Sequence, residues 1–174
     1  MPNIIPEKVL NFNVYADGGR LMGIADGNFP PLELMTAEIK GAGIAGTIDA
    51  PGLGQFGSLV ITLNWRLTTQ DYWELGAPGG HILDMYAAGQ QIDAGTGDLI
   101  ATRIHVFAKA FTKKMDPGKL DVVATQDAST EHEVYYMKAD IDGLEVLEID
   151  KMNYMYRVNG VDYLEDVRAA LGMR

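Results

Sequence analysis

The chain has 174 residues, 47% of them hydrophobic, with 20 glycines, 7 prolines and a net charge of −10. That length suits one domain with a real core, and the glycine and proline usage favours many short strands over a helical bundle. The absence of cysteine excludes a disulfide framework or thiolate metal site, and the acidic balance argues against a domain that wraps nucleic-acid phosphates.

The first thirty residues hold no basic-then-apolar leader, and no apolar run approaches the roughly 18 residues of a spanning helix. The chain therefore reads as soluble and made in a cytoplasm. Met1 to Lys8, with two prolines, reads as an irregular N-terminal arm. Leu10, Phe12 and Val14 alternate with polar neighbours, Asp17-Gly18-Gly19 turns the chain, and Leu21 to Ala25 returns, a first hairpin. Asp26 to Pro31 reads as a loop. Met35, Ala37 and Ile39 then share one face of a third strand, opposite Thr36, Glu38 and Lys40.

Residues 40–57 form the loop richest in glycine. Its Gly41-Ala-Gly43-Ile-Ala-Gly46 formally matches a dinucleotide-binding fingerprint, which needs a buried strand before it and a helix N-terminus after it. Thr47-Ile-Asp-Ala-Pro51 cannot open that helix, so the segment reads as a surface loop. Ser58 to Leu67 is the clearest strand: Leu59, Ile61, Leu63, Trp65 and Leu67 face one way, and Val60, Thr62, Asn64 and Arg66 the other. Gln70 to Leu75 suggests a turn or two of helix, with Tyr72, Trp73 and Leu75 directed inward.

His81 to Gln91 and Leu99 to Phe111 flank the turn-rich Asp93 to Asp98 and read as a long hairpin. Ile100, Ile104, Val106, Ala108 and Ala110 share one face of its second strand, opposite Arg103, His105 and Lys109. Met115 to Gly118 and Gln126 to Thr130 bracket a polar loop. Glu133 to Ile141, the hairpin pair Asp142-Gly143 and a long strand from Leu144 to Val158 follow. Asp162 is placed as an N-cap with Glu165 as its capping-box partner. Leu164, Val167 and Leu171 make one apolar stripe on the terminal helix, which Gly172 ends. These elements predict a mainly β fold: two packed antiparallel sheets, as a sandwich or small barrel, with long hairpins and a flanking C-terminal α-helix.

Chemistry finds little support. His81, His105 and His132 lie far apart, none with a second histidine at metal-ligand spacing. His132, between Glu131 and Glu133, could bind a metal but reads as an exposed strand-edge histidine. Asp140, Asp142, Glu145, Glu148 and Asp150 cluster, yet Asp140-Ile-Asp142-Gly143 lacks the further ligands of a calcium loop. Such carboxylates read as a solvated hairpin face rather than a general acid/base pair. No serine sits in a nucleophile elbow. No catalytic, cofactor-binding or metal residue is predicted, no cofactor, and no enzyme. Tyr135, Tyr136, Met137, Met152, Tyr154, Met155 and Tyr156 leave two readings open: a core covering both faces, or a face or edge that meets a neighbouring subunit.

Leu144-Glu-Val-Leu-Glu-Ile-Asp150, Val158-Asn-Gly-Val-Asp162, the helix ending in Leu171-Gly172, Lys40-Gly-Ala-Gly-Ile-Ala-Gly46 and Trp73-Glu-Leu75 together resemble the major tail tube proteins of contractile-tailed bacteriophages, the FII family of P2-like phages. The resemblance runs in order along most of the chain; between Ala87 and Ser129 it extends to strand pattern alone. It implies a structural subunit spanning 1–174 as a single tail-tube domain, with the arm at 1–8 and an inter-subunit loop at 40–57. Stacked homohexameric rings would form the hollow inner tube of a contractile tail that conducts DNA into the host. Implied partners are further copies of the chain, the tail sheath, baseplate and tail terminator proteins, and tape measure protein and DNA in the lumen. DNA would not be bound sequence-specifically, and no membrane anchor is implied. The location would be the virion tail, assembled in the host bacterial cytoplasm. An acidic lumen would let DNA slide rather than bind. The alternatives are the tube of a DNA-free injection machine, such as an R-type bacteriocin or type VI secretion apparatus, and a monomeric β-sandwich binding module or enzyme.

Overall fold

Apolar alternation and glycine-bearing turns resolve into twelve strands and two short helices in the computed structural model, which describes residues 3–173. In chain order they are β1 (Ile4–Ala16), β2 (Arg20–Leu21), β3 (Ile24–Asn28), β4 (Leu34–Ile39), β5 (Ile48–Phe56), β6 (Val60–Trp65) and α1 (Gln70–Glu74). The second half comprises β7 (Gly80–Asp93), β8 (Leu99–Asp116), β9 (Ala128–Ile141), β10 (Leu144–Asp150), β11 (Met155–Val158), β12 (Val161–Asp162) and α2 (Glu165–Ala170). The fold is mainly β, with two antiparallel sheets and a short C-terminal helix, as the sequence predicts.

Among the described residues, ten strands join one sheet in the order β12-β11-β10-β9-β8-β7-β1-β2, with β6 also pairing β9 and β3 pairing β6. β9 is the junction. Its first half pairs β6 (Ala128↔Trp65 to Glu133↔Val60), its second half pairs β10, and β8 runs along its other side. β6 and β3 thus make a layer over the β1–β7–β8 frame: Leu59, Ile61, Leu63 and Trp65 share one buried cluster with Val14, Leu83, Met85, Val106, Ala108 and Ala110. Tyr72 and Leu75 of the α1 region plug the same cluster, and Thr69 caps that helix through its hydroxyl to the Tyr72 N–H.

A β-bulge shapes the middle of β9. Ala128, Thr130, His132 and Val134 point inward, and then the register slips by one and Met137 takes the inward place. The extra residue shifts the parity of the strand, since side chains alternate with period two. Tyr135 and Tyr136 therefore both escape the core.

Several elements depart from the sequence reading. Residues 4–8 of the expected irregular arm are strand, paired to β7 (Ile4↔Asp93 through Lys8↔Gln90); Met1 and Pro2 lie outside the described residues. Pro6 is tolerated because β1 is an edge here, where a missing N–H removes no needed ladder bond. Part of the expected 26–31 loop belongs to β3, and the glycine-rich loop shrinks to 40–47 because β5 pairs with β4.

The expected strand 144–158 is two strands. Asp150 accepts from the Met152 and Asn153 N–H groups, and Tyr154 adopts a left-handed φ of 51°, which folds the chain into a tight turn between β10 and β11. Leu67 and Trp73 point to solvent instead of inward. The Asp162–Glu165 capping box does not form: the Asp162 carboxylate accepts from the Leu164 N–H and from Arg168 instead. Leu164 is buried but Leu171 is exposed, so the helix stripe is half used. Gly172 does end the helix, with the Met173 and Gly172 N–H groups reaching the Arg168 and Ala169 carbonyls.

Candidate assembly surfaces

The three histidines occupy three separate environments. His81 Nδ1 lies 2.9 Å from Asp17 and its Nε2 3.1 Å from the Ala77 carbonyl, so both nitrogens face acceptors. His105 bridges Asp84 (2.5 Å) and Asp140 (2.6 Å) and stacks on Tyr86 at 4.3 Å.

His132, expected at an exposed edge, is fully buried. Its neighbours fix its state. Trp65 Nε1–H donates to Thr130 Oγ1, and Thr112 Oγ1–H donates to the Leu75 carbonyl. That leaves Thr112 accepting from His132 Nδ1 (3.1 Å) and Thr130 donating to His132 Nε2 (2.9 Å), a closed network around a neutral imidazole. Burial, with a smaller contribution from His81, pushes its pKa down to about 4. Among the described residues no group of three His, Asp or Glu is placed to hold a metal ion. Gly41, Gly43 and Gly46 all have left-handed φ values in a turn that leads into strand β5, with no helix end for a pyrophosphate to meet.

The carboxylates of the last hairpin are paired rather than simply solvated, because cross-strand register puts a cation beside them. On the face of β7–β10 away from the core, Asp140 meets His105 and Arg103; burial opposes its charge, but these two hold its pKa below the usual value. Lys138 bonds Glu145 at 2.7 Å, and Arg157 joins Glu145 and Glu148 at 3.4 and 2.6 Å. Tyr136 donates to Glu148, and burial together with that bond pushes its hydroxyl pKa up to about 12. Lys109 sits over the Tyr136 ring at 5.2 Å. Asp142 accepts from the Arg103 N–H and Asp150 caps its turn. Each charged group named in the ladder already has a partner within the chain, so these carboxylates are held in structural pairs.

The unfinished parts of the molecule are apolar. β4 and β5 pair only with each other among the described residues, as a separate two-stranded sheet. Its register sets Ala37 opposite Ala50 and Ile39 opposite Ile48, with Met35 on the same side; Met35, Ile39 and Ile48 are 60%, 46% and 54% exposed. Its other side carries Thr36, Glu38 and Asp49. The hairpin is amphipathic, yet its apolar face covers nothing. A lone two-stranded hairpin is marginal in water. This one is held at its base, where Phe56 packs edge-on against Tyr156 at 5.0 Å and Gly54 approaches Leu164.

A second bare surface lies beside β1. From Ile4 to Asn13 that strand pairs, among the described residues, with β7 alone, leaving a long open edge broken by irregularities between Pro6 and Lys8 and between Val9 and Asn11. Against it runs an apolar groove between β1, β3 and β6, walled by Val9, Phe12, Phe29, Leu63, Met85 and Ile104. The loop between β8 and β9 adds a third, with Leu120 and Val123 almost wholly exposed at 89% and 101%. The tyrosines and methionines singled out from sequence do not form one patch. Met137 is core, Tyr135 stacks on Phe111, Tyr156 packs with Phe56 and Tyr163, and Met152 is exposed. The bare face of Met35, Ile39 and Ile48 escaped the sequence reading, since alternation announces a covered face without saying what covers it.

The chain matches the family model for phage tail tube protein FII over residues 6–172. The chain belongs to the phage tail tube protein FII family. It is 29% identical to the tail tube protein of Escherichia phage P2, with 97% of this chain and 99% of that protein aligned. Among solved structures it overlaps the sheath/tube terminator of an extracellular contractile injection system, PVC, in its extended state, at 16% identity and a TM-score of 0.45, covering 78% of this chain and 96% of that one. That last likeness is too remote to carry function. As a member of the FII family the chain is a tail tube subunit, a structural, self-assembling component of the phage tail, and its bare apolar surfaces are what such a subunit needs. No helix among the described residues is long and apolar enough to cross a membrane.

Proposed function

We propose that copies of this chain close into hexameric rings and stack into the hollow inner tube of a contractile tail, through which DNA passes into the host. The family match over residues 6–172 carries this reading, and the uncovered apolar face of the β4–β5 hairpin supports it physically. The role is mechanical rather than catalytic: the tube is a rigid conduit that the sheath surrounds. Sheath, baseplate and terminator proteins then contact its outside and ends, and tape measure protein occupies the lumen before DNA. Assembly takes place in the host cytoplasm. The segment 40–57 serves as an inter-subunit element, now as a hairpin arm with a glycine-rich tip instead of a loop throughout.

The net charge of −10 fits a conduit for a polyanion, because excess carboxylate repels phosphates and leaves DNA free to slide. Electron microscopy of the purified protein, dilute and concentrated, tests the assembly. Rings or hollow tubes are expected. A monomer that persists at high concentration and in the presence of preformed tube ends would overturn it. A neutral or basic channel in the assembled tube would overturn the charge argument alone.

A further inference from the structure

The groove beside β1 is the core face of the frame running past its own cover. The pairs Val14↔Met85, Phe12↔Ala87 and Val9↔Gly89 follow one another along β1 and β7, and Met85↔Val106 and Ala87↔Ile104 continue the rows into β8. At Val14 and Met85 this face is buried beneath β6. Toward Val9, Phe12 and Ile104 the β3–β6 layer ends, at Gly27 to Phe29, and the same face opens to solvent. Val9 is 57% and Phe29 55% exposed. One layer of a two-layer stack is missing there.

The β4–β5 hairpin has the shape of the missing piece. It is two strands wide, apolar on one side and acidic on the other. Its apolar stripe from Met35 to Ile39 spans about 13 Å, and the open face from Val9 to Phe12 about 10 Å, at roughly 3.3 Å per strand residue. The hairpin does not cover its own groove. Its base is anchored on the opposite flank, by Phe56 on Tyr156 and by Gly54 against Leu164, and its apolar side chains stay exposed. Projection and cavity lie at different places on one chain, so a contact between them is head-to-tail. Such a contact repeats from copy to copy instead of closing on itself as a two-fold dimer.

We propose that the apolar face of the β4–β5 hairpin of one copy packs over the open core face beside β1 of a second copy, completing its β3–β6 layer. This rests on the self-assembly reading above and assigns it a surface: Met35, Ile39 and Ile48 on the donor, and Val9, Phe12 and Ile104 on the acceptor.

The chain has no cysteine, so single introduced thiols report contacts without background. Ile39→Cys and Val9→Cys proteins are mixed, assembled and mildly oxidised. A cross-linked dimer is expected in the mixture and from neither variant alone. Tubes that form without that cross-link would overturn the hairpin assignment while leaving the tube reading intact, whereas absence of any assembly by wild-type protein would remove the reading on which it rests. The double variant Ile39→Asp/Ile48→Asp gives a second test. Both sites are exposed in the free chain, so its melting temperature should hold while the concentration needed for assembly rises ~100-fold or more, from charge buried at the contact. Assembly at the wild-type concentration would overturn the proposal.

Discussion

Lowering the pH from 7 to 5 should weaken the fold through His132 before any carboxylate matters. In the folded chain this imidazole is enclosed by Thr112 and Thr130, and its pKa is about 4 against an ordinary 6.5. Protonating Nε2 would aim a second N–H at Thr130 Oγ1, which already accepts from Trp65, and would leave the Thr130 hydroxyl proton without an acceptor in a buried site. The unfolded chain has no such obstacle. The folded pKa is depressed, so the stabilisation is fully present above about pH 6.5 and is lost as pH falls toward 4. A gap of this size is worth ~3 kcal/mol in the limit, at 1.36 kcal/mol per pKa unit, and linkage places about 2 kcal/mol of it between pH 7 and pH 5.

Urea unfolding of dilute protein at pH 7, 6 and 5 measures the effect. The midpoint should fall across the series with an unchanged slope. In His132→Gln, which is less stable at pH 7 because its network is imperfectly replaced, the decline between pH 7 and 5 should vanish. Equal wild-type stability at pH 7 and 5, or a variant that keeps the wild-type decline, would refute the reasoning. Glu133, Asp140, Glu145 and Asp162 have lowered pKa values, so their contribution is present above the usual carboxylate range and is lost below about pH 4.5, outside this window.

Three further outcomes follow from single contacts. Tyr72 is fully buried and, among the described residues, its hydroxyl is the buried side-chain group without a hydrogen-bond partner, so Tyr72→Phe should leave thermal stability unchanged or raise it by ~1 kcal/mol. Gly118 has a left-handed φ of 69°, and an added Cβ would fall 2.0 Å from the Gln126 carbonyl oxygen. Gly118→Ala should therefore cost about 2 kcal/mol or more in urea unfolding and loosen the start of β9. Arg157→Gln would leave the largely buried Glu148 without its ion-pair partner; a loss of ~1–3 kcal/mol in urea unfolding at pH 7 is expected, and an unchanged midpoint would count against the pairing.

The long strands were legible because each carries its own period and its own stop signal. Leu59 to Trp65 alternate without a break, and Asp142-Gly143 and Asn159-Gly160 turn the chain where the left-handed φ values occur. What stayed hidden depends on register between distant segments. The slip at Tyr135 leaves no local mark, since it is set by where β8 lies, and without it the burial of Tyr136 and Met137 is read backwards. His132 did carry a signal. It shares parity with Ala128, Thr130 and Val134, all buried, while Glu131 and Glu133 take the wet side. The flanking charges drew the reading to the surface, although alternation alone placed the imidazole inside. Trp73 shows the reverse case, because a helix of five residues is too short for apolar spacing to define a buried face.

The same reasoning explains why a tube subunit looks incomplete by itself. An apolar alternation encodes a covered face, and in most domains the cover lies elsewhere in the same chain. Here Met35, Ala37 and Ile39 encode it as clearly as Leu59, Ile61 and Leu63 do, yet the first set is bare and the second buried. Local propensity is satisfied in both cases, and what differs is whether a partner surface belongs to the same copy. The charged ladder on the far side of β7–β10 is saturated with internal partners, so that face asks nothing of a neighbour. Among the described residues, the apolar face of the hairpin and the open end of the β1 groove stay uncovered. Under the proposed hairpin-to-groove contact, the uncovered apolar surface of one copy meets that of the next, while the saturated polar face needs no partner.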